Sequence, residues 1–402
     1  MSGAGDTSQL DEGMSALVMP FDAAFWDRLR DEAAVHRIRT PEGPPVWLVT
    51  RYAQVQAALL DPRLSVAKVH ARGEDYKGFR LPAALDAHLL NRDGTDHARL
   101  RRLVAPALSQ RRIERARPGV QAVCERLLKD IAIRRGSGPV DLVAHLAAPL
   151  PLLVVCDLLG VPEPAQISLR AWAEQLLAPE PAQAPRARDT LARMGAIVQD
   201  LIAAKRVQPG DDVTSALIAA RDDGDRLSQD ELTSMIFYLL FVFYEVTVDQ
   251  LAAALLAVSR DDRGEDLRTP ARLSGLVDEL LRHDAPQLVA TPRFPLQDLE
   301  IAGAMIPAGD TVLLALAAAN RDPERFTAPE ILDPARDANP HLAFGAGIHR
   351  CLGAPLVRLQ AEIVLEQVLW RWPALRLAVE PADLRWREGM RHRGLRELPV
   401  LL

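Results

Sequence analysis

The stretch Ile236-Phe-Tyr-Leu-Leu-Phe-Val-Phe-Tyr-Glu-Val246 constrains this chain more than any other. It lies inside Ser228–Val258, which reads as one long helix. Ser228 is a natural N-cap, and Glu231 three residues later completes a capping-box pattern. Apolar side chains occupy nearly every side of its middle. A helix with so little polar face must run through the centre of a protein. The uncharged run Leu232–Tyr244 falls short of the roughly 20 residues that cross a bilayer. So does Leu142–Cys156, which His145, Pro149 and Pro151 interrupt.

The rest of the chain supplies partners for that helix. Apolar residues recur at helical spacing in Val120–Ile133, Ser168–Leu177, Thr190–Ala204, Leu273–His283 and Leu352–Trp370. Pro179, Pro181 and Pro185 punctuate the loop between the second and third of these. Strand signals are short: Pro45–Thr50, Leu299–Ile306, Thr311–Leu316 and Leu395–Leu401. The expected fold is mainly α (α+β), one domain over residues 1–402 with small sheets beside a helical body. Met1–Pro20 lacks a basic region followed by an apolar run, so no targeting segment is expected there, and it reads as a flexible segment.

Of 402 residues, 49% are hydrophobic and 25% charged, which is enough for a sizeable core. A net charge of -6 argues against nucleic-acid binding and against a membrane-surface role, so a cytoplasmic protein is expected. Three widely spaced cysteines make neither a disulfide framework nor a zinc site. Cys124 and Cys156 sit in apolar windows and read as packing residues.

Cys351 is different. It lies in the run Phe344-Gly-Ala-Gly-Ile-His-Arg-Cys-Leu-Gly353, just before a helix. Gly345 and Gly347 permit a tight loop. Free N–H groups at the helix start stabilise a thiolate, and His349 and Arg350 add positive or donor groups. Such a thiolate is either a nucleophile or a metal ligand.

These residues resemble the cytochrome P450 family, whose haem-binding signature is Phe-Gly-x-Gly-x-His-x-Cys-x-Gly. Phe344, Gly345, Gly347, His349, Cys351 and Gly353 match it without departure. The resemblance implies that Cys351 is the axial thiolate on the iron of haem b, favouring O–O cleavage of O2. Glu279-Leu-Leu-Arg282 with Arg336 resembles the family's buried Glu-x-x-Arg network, a structural element. Asn320-Arg-Asp-Pro323 with Phe326 resembles the segment leading toward the cysteine loop. His97-Ala-Arg-Leu-Arg101 is similar to the family's His-x-x-x-Arg, two side chains on one helical face that grip a haem propionate. Arg293 and His349 are the implied third and fourth propionate contacts. The resemblance runs from about Trp47 to the C-terminus. It implies a triangular helical fold with haem between the central helix and the cysteine-loop helix.

The central helix departs from the family pattern Ala-Gly-x-(Glu/Asp)-Thr. The matching residues are Val242-Phe243-Tyr244-Glu245-Val246, followed by Thr247. Valine has no hydroxyl to donate or to hold water. General acid–base help is worth ~10²–10⁴ in rate, so its loss matters. Thr247 points ~100° away along the helix. Phe243 adds bulk where the family leaves a gap. Substrate hydroxyls or amines, or Tyr244, Thr247 or water on Glu245, are the candidates to complete a proton relay. Alternatively, the chemistry needs less proton delivery, as in coupling, cyclisation or dehydration. A haem-binding protein without monooxygenase activity, acting as an accessory partner or in a non-oxidative reaction, is the competing reading. The leading one is a haem-thiolate oxidoreductase tailoring a small secondary metabolite with non-standard oxygen activation.

By resemblance, substrate contacts fall at Val242, Phe243, Val246, Val289, Ala290 and Met390, with the segments Val69–Asn91 and Leu177–Arg188 nearby. Lys77, Arg80 and Arg391 are candidates to meet an acidic substrate. Electrons are expected from NAD(P)H through a ferredoxin reductase and a ferredoxin. Arg111, Arg112, Arg115, Arg117, Arg350 and Arg358 form a basic face suited to an acidic ferredoxin.

Overall fold

The computed structural model describes residues 23–39, 45–73, 81–82, 85–134, 136, 138–177, 184–222, 226–260, 270–387 and 391–402. Met1–Pro20, Lys77, Arg80 and Met390 lie outside them, as does most of the Pro-rich connection after Leu177. Among the described residues the helices are α1 (Ala23–Glu32), α2 (Tyr52–Leu60), α3 (Gly94–Val104), α4 (Gln110–Arg115), α5 (Arg117–Arg134), α6 (Pro149–Leu159), α7 (Glu163–Leu177), α8 (Ala184–Val207), α9 (Val213–Asp222), α10 (Gln229–Ser259), α11 (Pro270–His283), α12 (Leu316–Ala319) and α13 (Ala354–Arg371). The strands are β1 (Val35–Arg39), β2 (Pro45–Val49), β3 (Leu64–Ser65), β4 (Val140–Asp141), β5 (Phe294–Pro295), β6 (Leu299–Ile301), β7 (Ala304–Ile306), β8 (Val312–Leu314), β9 (Arg376–Leu377) and β10 (Pro399–Leu401).

Helix α10 organises the body. The capping box is present: Glu231 N–H donates to Ser228 Oγ at 3.1 Å, and Ser228 N–H donates to the Glu231 carboxylate at 2.7 Å. Its apolar sides are taken up by α6, α8, α11 and α13 and by a π-turn at Val143–Ala147. Leu232, Met235, Ile236, Leu251 and Leu255 are fully buried there. Burying a side chain of that size contributes about 1.5–3 kcal/mol. Arg99 ties α3 to the start of α10. It pairs with Glu231 and donates to the Arg226 carbonyl at 2.9 Å.

The sheets are small. β1 and β2 are antiparallel, and β2 runs parallel to β8. β4, β10 and β9 form a second antiparallel group, and β3 pairs with β5. Leu299–Ile306 is not one strand but a hairpin, β6–β7. Ala302 (φ 49°) and Gly303 (φ 83°) supply the two left-handed residues of a tight turn. Pro185 belongs to the first turn of α8, where proline is tolerated, and does not interrupt it. Strand β1 carries His36, Arg37 and Arg39, so its apolar alternation is faint in sequence.

The Glu279–Arg282–Arg336 cluster pins α11 to the loop before the cysteine. Both Glu279 and Arg282 are wholly buried, and Arg282 donates to the two Glu279 oxygens at 2.8 and 2.7 Å. It also donates to the carbonyls of Asn320, Pro329 and Ile331. Arg336, Asn339 and the Asp333 N–H complete the shell of Glu279. Burial pushes the Glu279 pKa up, but Arg282, the Asp333 N–H and Arg336 together bring it below its ordinary value. Removing one partner of such a pair leaves a buried, uncompensated charge, at ~3–5 kcal/mol. Arg282→Ala should therefore lower stability by that much in urea unfolding, and a loss below ~1 kcal/mol would contradict the structural role.

Candidate active site

The loop before α13 is closed by its own backbone. Gly345 (φ 66°) and Gly347 (φ 70°) both take left-handed conformations. Gly345 N–H donates to the Leu342 carbonyl at 2.8 Å, and Cys351 N–H donates to the Phe344 carbonyl at 3.0 Å. Cys351 is thereby presented to a cavity of about 540 Å³. Burial pushes its thiol pKa up, against the N–H groups of Gly353 and Ala354 and the Arg101 and Arg350 guanidiniums, which pull it down without prevailing. Coordination to a metal deprotonates a thiol outright, so ligation rather than local electrostatics would account for a thiolate at Cys351.

A cationic end of the same cavity gathers His97, Arg101, Arg293 and His349. The His97 and His349 rings lie 4.3 Å apart. His349 Nε2 pairs with Asp93 at 2.8 Å, and Asp93 also accepts from Ser65 Oγ (2.6 Å) and the Val66 N–H (2.8 Å). Burial opposes ionisation of Asp93, yet these bonds hold its carboxyl well below the usual range. Arg101 donates to the carbonyls of Ile348 and Arg350, joining α3 to the cysteine loop. Arg293 is buried and donates to the Thr291 carbonyl at 2.8 Å, and burial brings its pKa down to about 10. Burial, with the His349 and Arg101 charges, brings His97 down to about 4.

This donor set fits haem. One thiol faces the cavity, and a cluster of donors suited to carboxylates stands at one end. Among the described residues no group of three or more His, Cys, Asp or Glu side chains could hold a bare metal ion. Phe344, Gly345 and Gly353 also line the cavity, but Gly347 does not. A Cβ on Gly347 would come within 3.1 Å of the Leu60 side chain, so that glycine serves the turn and its packing on α2.

The α10 wall is made by Val242, Phe243, Glu245, Val246 and Thr247, with Ala290 from the loop after α11. Tyr244, expected among the proton carriers, is not part of it. At 100° per residue it follows Phe243 away from the cavity, and it is buried beside Trp172. Val289, expected in the substrate wall, instead packs with Trp26 and Leu48, because alternation along this extended segment gives the cavity to Ala290. Thr247 does reach the cavity, and its buried hydroxyl has no hydrogen-bond partner among the described residues. Phe243 leans toward α13. A Cβ on Gly353 would lie 2.4 Å from its ring, so the bulk at this position fills the space that glycine leaves.

Several wall residues were not expected from sequence. Tyr238 was legible, since it precedes Val242 by four and Glu245 by seven on one helical side. His88 stacks on Tyr238 at 4.5 Å, and burial keeps it neutral with its pKa down at about 3. His392 also lines the cavity, brought there by the chain's return past α11, which no local pattern announces.

The family model for Cytochrome P450 matches residues 260–373. The cytochrome P450 monooxygenase PikC of Streptomyces venezuelae is 43% identical over 93% of this chain and 89% of its own length. The 6-deoxyerythronolide B hydroxylase of Saccharopolyspora erythraea is 38% identical over 93% of this chain and 94% of its own. The solved structure of the ligand-free P450 monooxygenase TamI is similar with a TM-score of 0.86 at 42% identity, covering 96% of this chain and 92% of that one. Likeness of this depth over nearly the whole length admits one placement: the chain belongs to the cytochrome P450 family, as a haem-thiolate monooxygenase acting on a small organic molecule.

Proposed function

We propose that this enzyme works as a single cytoplasmic domain that tailors a secondary metabolite by oxygen insertion or oxidative ring closure, without the usual alcohol in its oxygen pocket. The carrying observation is that Cys351 and a wall containing Val246 rather than threonine line one cavity. Relatives named as 6-deoxyerythronolide B hydroxylase and mycinamicin IV hydroxylase/epoxidase support hydroxylation or epoxidation as the reaction type.

Cys351 would hold haem b through its sulfur, and His97, Arg101, Arg293 and His349 would hold the carboxylates. When bound, haem supplies O2 binding and one-electron redox chemistry. Val242, Phe243, Val246 and Ala290 exclude water and orient an apolar substrate. Glu245 is the one carboxylate of the α10 wall, and its Oε atoms are where a proton is passed on. Val246 offers no hydroxyl to pass that proton on, so a water or a substrate hydroxyl or amine bridges the gap. The orphaned Thr247 hydroxyl anchors such a water from the α13 side.

Electrons come from NAD(P)H through a reductase and a ferredoxin. Arg111, Arg115 and Arg350 are exposed and suit an acidic partner. Arg112, Arg117 and Arg358 are already engaged by Asp211, Glu114 with Glu362, and Asp278. They contribute less attraction.

The reduced protein with carbon monoxide is expected to show the long-wavelength Soret band of a thiolate-ligated haem. Cys351→Ser should lose that band while keeping its helical circular dichroism. A shorter-wavelength band in the unaltered protein would overturn the assignment. Arg101→Ala removes charge-assisted bonds worth about 1.5–3 kcal/mol, so haem should leave on the order of 10–100-fold more readily in a transfer assay to apomyoglobin. Val246→Thr should raise the share of NAD(P)H that ends in product rather than peroxide. Unchanged coupling would show that the missing hydroxyl does not limit this enzyme.

A further inference from the structure

A charged cluster stands on the flank of α10 opposite α13. Glu245 and Asp249 lie one turn apart, facing the C-terminal segment. Arg387 pairs with Asp249 and comes within 4.0 Å of Glu245 Oε1, while His392 Nε2 lies 3.9 Å from Glu245 Oε2. Asp249 is almost fully buried, which raises its pKa to about 7 despite Arg387, with the Glu245 charge adding to the rise. Arg391 is the remaining cation beside His392, whose own pKa burial brings down to about 4. Three atoms of the cluster have no hydrogen-bond partner among the described residues: His392 Nδ1, Asp249 Oδ2 and Arg387 Nε. Gly394 makes the arrangement fit, since a Cβ there would fall 2.2 Å from both Arg387 Nη2 and Asp249 Oδ1.

A tether between α10 and the C-terminal segment would explain Arg387 and Asp249. It does not explain Glu245 and His392. Those two line the cavity, and their separation is too long for a direct hydrogen bond but suits a bridging water. Taking several ions out of water costs several kcal/mol each, which apolar packing would avoid. Converging orphaned donors and acceptors are the setting in which buried water settles. Histidine can take a proton at one ring nitrogen and release one from the other.

We propose that His392 re-protonates Glu245, so that the Glu245–His392 pair, positioned by Arg387 and Asp249, delivers protons in place of the alcohol missing at Val246. This rests on the monooxygenase reading. Hydroxylation consumes RH, O2, two electrons and two protons and yields ROH and water. The electrons come from reduced ferredoxin. Each proton leaves Glu245 through water toward the dioxygen being reduced in the cavity. Glu245 recovers it from His392 Nε2–H as Nδ1 takes up a solvent proton passed along water. Nδ1 then returns a proton to water while Nε2 takes one up, so the ring regains its starting tautomer and each cycle draws one proton from solvent.

The test uses substrate-free turnover, with O2, NADPH, a ferredoxin and its reductase. The readouts are oxygen consumption in H2O and in D2O, and the fraction of oxygen released as hydrogen peroxide. His392→Gln keeps size and hydrogen bonding but cannot shuttle a proton. It should keep the carbon-monoxide band, slow water formation on the order of 10²-fold, raise the peroxide fraction and change the solvent isotope effect. Adding Val246→Thr to it should leave water formation slow, because a hydroxyl between Glu245 and dioxygen does not re-protonate Glu245. If His392→Gln loses the carbon-monoxide band, His392→Asn carries the same comparison. Peroxide fraction and isotope effect unchanged in the variant, or full recovery of water formation on adding Val246→Thr, would overturn the proposal. Absence of oxygen consumption by the unaltered holoenzyme would instead overturn the monooxygenase reading, and the relay with it.

Discussion

A helix with so little polar face has to be enclosed, and the rest of this molecule follows from enclosing α10. Its neighbours cover it on most sides, and the side left open becomes the wall of the cavity that Cys351 faces. Beside that opening, Phe243 packs on Gly353, where α10 meets the start of α13. A large side chain on one helix is matched by the absence of one on the other. The two departures from ordinary size are one packing solution. The bulk that looks disruptive in the sequence of α10 is directed to the seam with α13.

Much of this was readable from residues alone, for physical reasons. The Ser228–Glu231 cap and the helices around it depend on local chemistry and came through intact. The glycines and helix start around Cys351 are local signals too, and the fold brings Cys351, His97, Arg101, Arg293 and His349 to one cavity. Direction was harder to read. Tyr244 and Val289 were assigned to the cavity, but a residue's angle about α10 and its alternation in an extended segment send them elsewhere. Gly347 was read as a cofactor contact because it belongs to the signature, whereas its place is set by α2 beneath it. His392 was illegible because only the fold brings residue 392 beside residue 245.

The two flanks of α10 differ in kind. Toward α13, Thr247 and Gln250 are buried with side-chain polar atoms that lack partners among the described residues, in an otherwise apolar seam. Toward the C-terminal segment the flank is ionic, with Asp249 and Arg387 locked together. Low dielectric makes the second flank rigid as long as its charges stay paired. The cavity wall is thus held between an adaptable seam and a fixed one.

Helix α3 links this core to the cationic end. His97 and Arg101 share the face turned to the cavity, while Arg99 projects from the other side to Glu231. A single carboxylate therefore closes the first turn of α10 and anchors the helix that carries two of the four residues at the cationic end of the cavity. Helix ends are where a warmed protein frays first. In this chain, fraying there would loosen α3 at the same moment, so warming reaches the cationic end of the cavity through a helix cap as well as through the cysteine loop.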